Sequence, residues 1–212
     1  MEYRLAMFDL NGTLLDDVGV IYGGVSSVFK KYRVEPPTLR EMRMAEHIDH
    51  EWYRQHGFPK NVTDKEIIDA FNEAVPAYSH LRKIRKDALS VIKGCRQRKM
   101  KVVMVSALNT PLMTLVMKGM GLRPYFDDVR GSAGDKYEAF LEMMEKFGTP
   151  PEKTFYVGDS VIDVRSSKRA GITAIAFLSG YSLPELLIAQ KPDFMIKSLS
   201  ELLKILKERG RE

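Results

Sequence analysis

The sequence predicts an α/β protein: a three-layer, Rossmann-like parallel sheet core with an inserted α-helical cap. Three observations lead there. From residue 82 onward, short apolar runs alternate with amphipathic segments, the pattern of parallel strands with helices on both faces. Residues 17–80 break that alternation and read as helices only. Three apolar runs end in polar residues, at Asp9, Ser106 and Gly158-Asp159, where an open parallel sheet binds its ligands.

Residues 5–8, Leu-Ala-Met-Phe, end at Asp9 and break into Asn11-Gly12-Thr13, a buried strand entering a turn. In residues 18–32, Val18, Ile21, Val25, Val28, Phe29 and Tyr32 recur near helical spacing, and Pro36-Pro37 stops that helix. Thr38 is placed to cap a second helix running through Leu39 and Met42 to Trp52. After the break at Gly57-Phe58-Pro59, Thr63-Asp64-Lys65-Glu66 has the pattern of a capping box and opens a third helix through Ile67, Ile68, Phe71 and Val75. The expected division is a core of residues 1–15 and 82–212 with a cap at 16–81. In the second core segment, a helix around Ala88 to Ile92 precedes strands at 102–105, 126–130, 154–157, 173–177 and 194–196. Helices at 111–118, 135–147, 161–170, 183–190 and 199–208 lie between and after them.

At 212 residues, with 44% hydrophobic and 29% charged side chains, the composition excludes a disordered chain. The single cysteine, Cys95, excludes an intrachain disulfide. The first residues lack the length and cleavage site of a signal peptide, and no apolar run is long enough for a membrane helix. The expectation is a cytoplasmic protein, monomer or homodimer, without a membrane partner. The net charge of +5 is uneven: residues 17–80 hold eight Lys/Arg against ten Asp/Glu. The densest basic run, Arg82-Lys83-Ile84-Arg85-Lys86, reads as the solvated face of a helix. No zinc spacing or basic-aromatic stripe accompanies it, so no nucleic acid partner is expected.

The strand ends define the chemistry. Asp9 on one side, and Asp159 with Asp163 on another, bring carboxylates together, and such groups repel unless a cation or proton sits between them. Mg²⁺ suits an all-oxygen set, and no Cys/His cluster argues for zinc. Beside such an ion, Asp9 is placed to attack phosphorus. Ser106, with small Ala107 next to it, offers a hydroxyl and backbone N–H groups to phosphate oxygens. Lys136, opening a helix, can pair with a carboxylate and the phosphate it receives. Taken singly, each residue has a plainer reading, as a turn cap, a strand-end hydroxyl or a surface lysine.

In order and spacing, these residues resemble the haloacid dehalogenase-like hydrolase superfamily. Residues 8–17, Phe-Asp-Leu-Asn-Gly-Thr-Leu-Leu-Asp-Asp, look like its first motif, Ser106 like its second, Lys136 like its third, and Gly158-Asp159-Ser160-Val161-Ile162-Asp163 like its fourth. The helical insertion resembles the small cap of the phosphoglycolate phosphatase-like and β-phosphoglucomutase-like branch. The resemblance implies that Asp9 forms an aspartyl-phosphate in hydrolysing a small phosphorylated metabolite. It also implies that Asp9, the Asn11 carbonyl and Asp159 bind Mg²⁺, with Asp163 as an additional or supporting carboxylate. Ser106, Ala107 and Lys136 would hold the phosphoryl group.

Asn11 departs from the family's phosphatases, which usually have a second Asp there to protonate the leaving oxygen and activate water. An amide cannot exchange that proton. Three accounts follow: a natural variant with another acid/base or an easy leaving group, an introduced substitution, or a catalytically weak phospho-ligand-binding or regulatory protein. The aliphatic dehalogenase branch fits less well, since an aromatic residue is usual at position 11 there. A phosphonate-cleaving branch needs a cap lysine (Lys30, Lys31 and Lys60 are available) and a small residue in place of Asn11. All four histidines, His47, His50, His56 and His80, fall in the cap. His47 and His50 would share a helical face, either as a substitute acid/base or simply on its wet side.

Overall fold

A computed structural model describes residues 2–209. Met1 and residues 210–212 of the expected core lie outside the described residues. The first part of the chain runs β1 (Leu5–Phe8), β2 (Leu15–Asp16), α1 (Val18–Lys31), α2 (Leu39–Met44), α3 (His50–Gln55), α4 (Asp64–Tyr78) and β3 (Lys83–Ile84). It continues through α5 (Ala88–Gln97), β4 (Lys101–Val105), α6 (Thr110–Gly119), β5 (Asp128–Arg130), α7 (Tyr137–Phe147) and β6 (Thr154–Gly158). The last elements are α8 (Val161–Arg169), β7 (Thr173–Phe177), α9 (Pro184–Ala189), β8 (Phe194–Ile196) and α10 (Ser200–Arg209).

Six strands form one parallel sheet in the order β5-β4-β1-β6-β7-β8. β1 is buried on both faces, which is why it reads as an unbroken apolar run. Ala6 and Phe8 join one core with Val91 and Ile92 of α5, Met113 and Met117 of α6, and Leu202 and Leu206 of α10. Leu5 and Met7 join the other, with Phe140 and Met143 of α7. This alternation is the two-residue period of a strand, and it makes the three layers expected from the sequence.

The helices α1 to α4 have a core of their own. Phe29 stacks on Tyr53 at 5.1 Å and meets Trp52 and Phe58 edge-on at 6.0 and 5.4 Å. Thr63 and Glu66 form a reciprocal capping box at the start of α4, and Thr38 and Glu41 form another at α2.

Three expectations need correction. The second helix does not continue to Trp52. Ala45 is extended, and α3 starts afresh because the Asp49 carboxylate accepts the Trp52 N–H at 2.9 Å. His47 therefore lies between helices and shares no helical face with His50. The basic run at 82–86 is not a solvated helix face. Lys83–Ile84 pairs antiparallel with Leu15–Asp16, so β2 and β3 form a two-stranded neck through which the chain leaves and re-enters the core. Arg82 faces buried Asp17 at 3.5 Å, and Arg85 donates to the Gly12 and Ser179 carbonyls at 2.9 and 3.0 Å. Finally, residues 123–125 form a 3₁₀ turn and the strand starts only at Asp128.

Phe29 is fully buried and Trp52, the only tryptophan, lies against it. Phe29→Ala should therefore cost about 3–5 kcal/mol. Urea unfolding followed by Trp52 fluorescence reads this directly, and a loss below about 1 kcal/mol would mean the cluster is not a core.

Candidate active site

The sheet grows in one direction from β1 to β4 and β5, and in the other through β6, β7 and β8. A crevice at the carboxyl ends beside β1 follows from that reversal. Asp9 follows β1, Ser106 follows β4 and Asp159 follows β6, so three adjacent strands deliver them to one place. Asp9, Asn11, Ser106, Ala107, Lys136 and Asp159 all line one cavity of about 830 Å³. Asp163 stands behind Lys136, off that wall. Among the described residues no histidine lines the cavity.

Lys136 is buried, and its ammonium has three partners: Asp9 Oδ1 at 2.8 Å, Asp163 Oδ1 at 2.6 Å and the Tyr156 hydroxyl at 2.7 Å. Tyr156 in turn donates to the Val105 carbonyl at 3.0 Å. Burial alone would weaken the ammonium's hold on its proton; the Asp163 and Asp9 charges outweigh it and push the lysine above its ordinary value. Asp9 moves the other way from most paired carboxylates. Burial raises it to about 6 despite Lys136 beside it, and Asp163 adds to the rise. Burial and the charges of Asp9 and Asp163 raise Asp159 well above the ordinary carboxylate range.

One oxygen from each of Asp9, Asp159 and Asp163 lies within 4.8 Å of the others. Such a buried all-oxygen set fits a hard divalent cation. The three are not equally available. Both Asp163 oxygens accept hydrogen bonds, Oδ1 from Lys136 and Oδ2 from the backbone N–H groups of Asp159 and Ser160. Asp159 is steadied by the Thr13 hydroxyl and the Tyr181 N–H, each at 2.6 Å. Two glycines make room for it. Gly12 has φ +77°, and a Cβ there would lie 2.2 Å from Asp159 Oδ2; a Cβ on Gly180 would lie 2.2 Å from the same side chain.

The Asn11 amide donates to Asp17 Oδ2 at 2.5 Å. Asp17, almost wholly buried, also accepts from the Gly12 N–H and the Tyr181 hydroxyl, both at 2.9 Å. Sequence reasoning gave no individual role at the site to Thr13, Asp17, Tyr156, Tyr181 or Arg82. Asp17 carried a signal, an acidic pair with Asp16 straight after the first turn. Tyr156 was hidden inside an apolar strand, and Tyr181 follows the sheet by a loop with no pattern.

Fold and site together define a doubly wound α/β protein with a buried carboxylate-lysine centre at its strand ends. A family model described as haloacid dehalogenase-like hydrolase matches residues 6–177. The chain belongs to that family and is an enzyme of the hydrolase type. It is 26% identical over 226 residues to a protein named phosphoglycolate phosphatase from Vibrio vulnificus (strain YJ016), covering 96% of each chain. It is 31% identical over 225 residues to a Caldanaerobacter subterraneus protein named "Putative pyrophosphatase PpaX", covering 98% of this chain and 96% of that one. The solved structure of a "predicted phosphatase" from Clostridium acetobutylicum superposes with a TM-score of 0.83 at 19% identity, over 98% of this chain and all of the other. That likeness concerns the fold.

Removing the shared cation tests the electrostatics. Lys136→Ala leaves Asp9 and Asp163 buried without their partner, a change of about 3–5 kcal/mol. Asp9, ordinarily near 3.8, already sits near 6, so the folded state holds more protons than the unfolded one between those values. Its burial thus costs stability as pH rises, and more so without Lys136. The stability lost in the metal-free variant should be larger at pH 8 than at pH 5; an equal loss at both would contradict the assignment.

Proposed function

We propose that the protein is a Mg²⁺-dependent hydrolase of small phosphate monoesters that works through an aspartyl-phosphate on Asp9. The observation that carries this reading is the Asp9–Lys136 pair on the wall of a cavity shared with Ser106, Ala107 and Asp159. The family and the phosphatase names among its relatives support the same chemistry.

Asp9, the Asn11 carbonyl and Asp159 would hold the ion. Bound there, Mg²⁺ supplies positive charge that neutralises phosphoryl oxygens and the carboxylates around them. Lys136 fixes one oxygen of Asp9 and attracts the phosphoryl group, while Asp163 orients Lys136. The Ser106 hydroxyl and the Ala107 N–H hold phosphoryl oxygens. Asp9 attacks phosphorus and the ester P–O bond breaks with its electron pair leaving on the alcohol oxygen; water then cleaves the aspartyl-phosphate, freeing inorganic phosphate and the Asp9 carboxylate. The helical insertion serves as a cap that excludes water during the attack by Asp9.

Asn11 has no proton to exchange, and its amide is engaged by Asp17. This favours slow turnover of alkyl phosphates, and it is also the observation behind a second reading, a phospho-ligand binder with little turnover.

Asp159→Ala removes a charged ligand and should raise the Mg²⁺ concentration needed for half-maximal activity by about tenfold or more. An unchanged Mg²⁺ titration would put the ion elsewhere. Asn11→Asp sets a second carboxylate against Asp17, and that repulsion favours the protonated form a general acid needs. It should raise alkyl phosphate turnover by about 10² or more, and aryl phosphate turnover much less. If neither rate rises in single-turnover and steady-state assays with saturating Mg²⁺, the amide is not a missing acid/base and the binder reading gains.

A further inference from the structure

We infer that the site takes the phosphate ester of a bulky aromatic alcohol, an inference that rests on the hydrolase reading above. The reactive residues share the 830 Å³ cavity with a largely apolar lining. A pocket of that volume accommodates a molecule far larger than a two-carbon acid. Phe71 and Val75 of α4 and Leu112 and Val116 of α6 line it. Each pair is one turn apart, so each helix presents an apolar ridge to the cavity. Leu108 and Ile48 extend the same lining. Ile48 and Leu112 remain 37% and 42% exposed, apolar surface that an apolar ligand would cover.

The charges agree with the shape. Among the described residues only two cations line the cavity, and each already faces a carboxylate of the protein. Lys136 bonds Asp9 and Asp163, and Arg82 Nε lies 3.5 Å from Asp17. A substrate with a second anionic group, such as phosphoglycolate or pyrophosphate, would bring negative charge to walls that are mostly apolar, at a desolvation cost.

Asn11 favours an acidic leaving group, which an aromatic alcohol of the phenol type supplies and an alkyl alcohol does not. When an Asp9 oxygen forms its bond to phosphorus and the ester P–O bond breaks, the electron pair leaves on the alcohol oxygen. An alkoxide needs a proton at that moment, and Asn11 has none to give. A phenol-type oxygen, with a pKa of about 10, departs as the aryloxide and takes its proton from water afterwards.

The test compares 1-naphthyl phosphate, phenyl phosphate and 2-phosphoglycolate with Mg²⁺ present. The two aryl esters have leaving groups of similar acidity and differ in apolar bulk. Two readouts are taken on the full chain: kcat/KM, and equilibrium binding to the unmodified protein and to Asp9→Asn. The naphthyl ester should exceed the phenyl ester in kcat/KM by about tenfold, chiefly through KM, with phosphoglycolate the poorest of the three. Phe71→Asp and Leu112→Asp should each shrink the naphthyl-to-phenyl ratio by about tenfold; Leu112 is exposed enough that its variant keeps the fold if Phe71→Asp does not. Phosphoglycolate handled as well as the naphthyl ester, or a ratio untouched by the folded variants, would overturn the inference. If no ester is turned over, the hydrolase reading fails and the binding arm decides the ligand class: tighter naphthyl phosphate supports it, and tighter phosphoglycolate overturns it.

Discussion

The Lys136 ammonium stands between Asp9 and Asp163, two of three carboxylates that the sheet's topology forces into one buried place. Charges that close repel strongly in a low-dielectric interior, and some compensation must be built in. The structure supplies it from three directions. Lys136 arrives from the start of α7, backbone N–H groups from the turn into α8, and the Thr13 hydroxyl and Tyr181 N–H from the loops after β1 and β7. Even so, Asp9 and Asp159 keep a raised affinity for protons, caused first by burial. That residual repulsion is what a bound cation would relieve.

The neck ties the helical insertion to this centre. Asp17 and Arg82 lie on its two chains, and Asp17 holds both the Asn11 amide and the Gly12 N–H. Arg85, on the returning chain, donates to the Gly12 carbonyl at 2.9 Å and lies over the Phe177 ring at 4.7 Å. The turn that carries Asn11 is thus gripped by the same residues that connect core and insertion.

Much of this was legible in the sequence because its signals are local. Buried strands such as Leu5–Phe8 and Lys101–Val105 read as apolar runs, and the polar residues after them, Asp9 and Ser106, read as site residues. The capping box at Thr63–Glu66 marked the start of α4. What escaped depends on contacts distant in sequence. The inward turn of Arg82 and Arg85 needs the antiparallel neck, which two-residue strands cannot announce. Tyr156 reads as one more apolar strand residue until Lys136 is placed beside its hydroxyl. The break at Ala45 was lost because Met42 and Trp52 can be joined by one helical pattern, while the Asp49 cap that divides them is a single side-chain contact.

The central claim is that Asp9 is the nucleophile, held ready by Lys136. Rapid-quench mixing with an aryl phosphate and Mg²⁺, followed by mapping of the phosphorylated peptide, tests it most directly. A transient acyl-phosphate on Asp9, absent from Asp9→Asn, is the expected result. Turnover with Asp9 never labelled, or a label on another residue, would contradict the account.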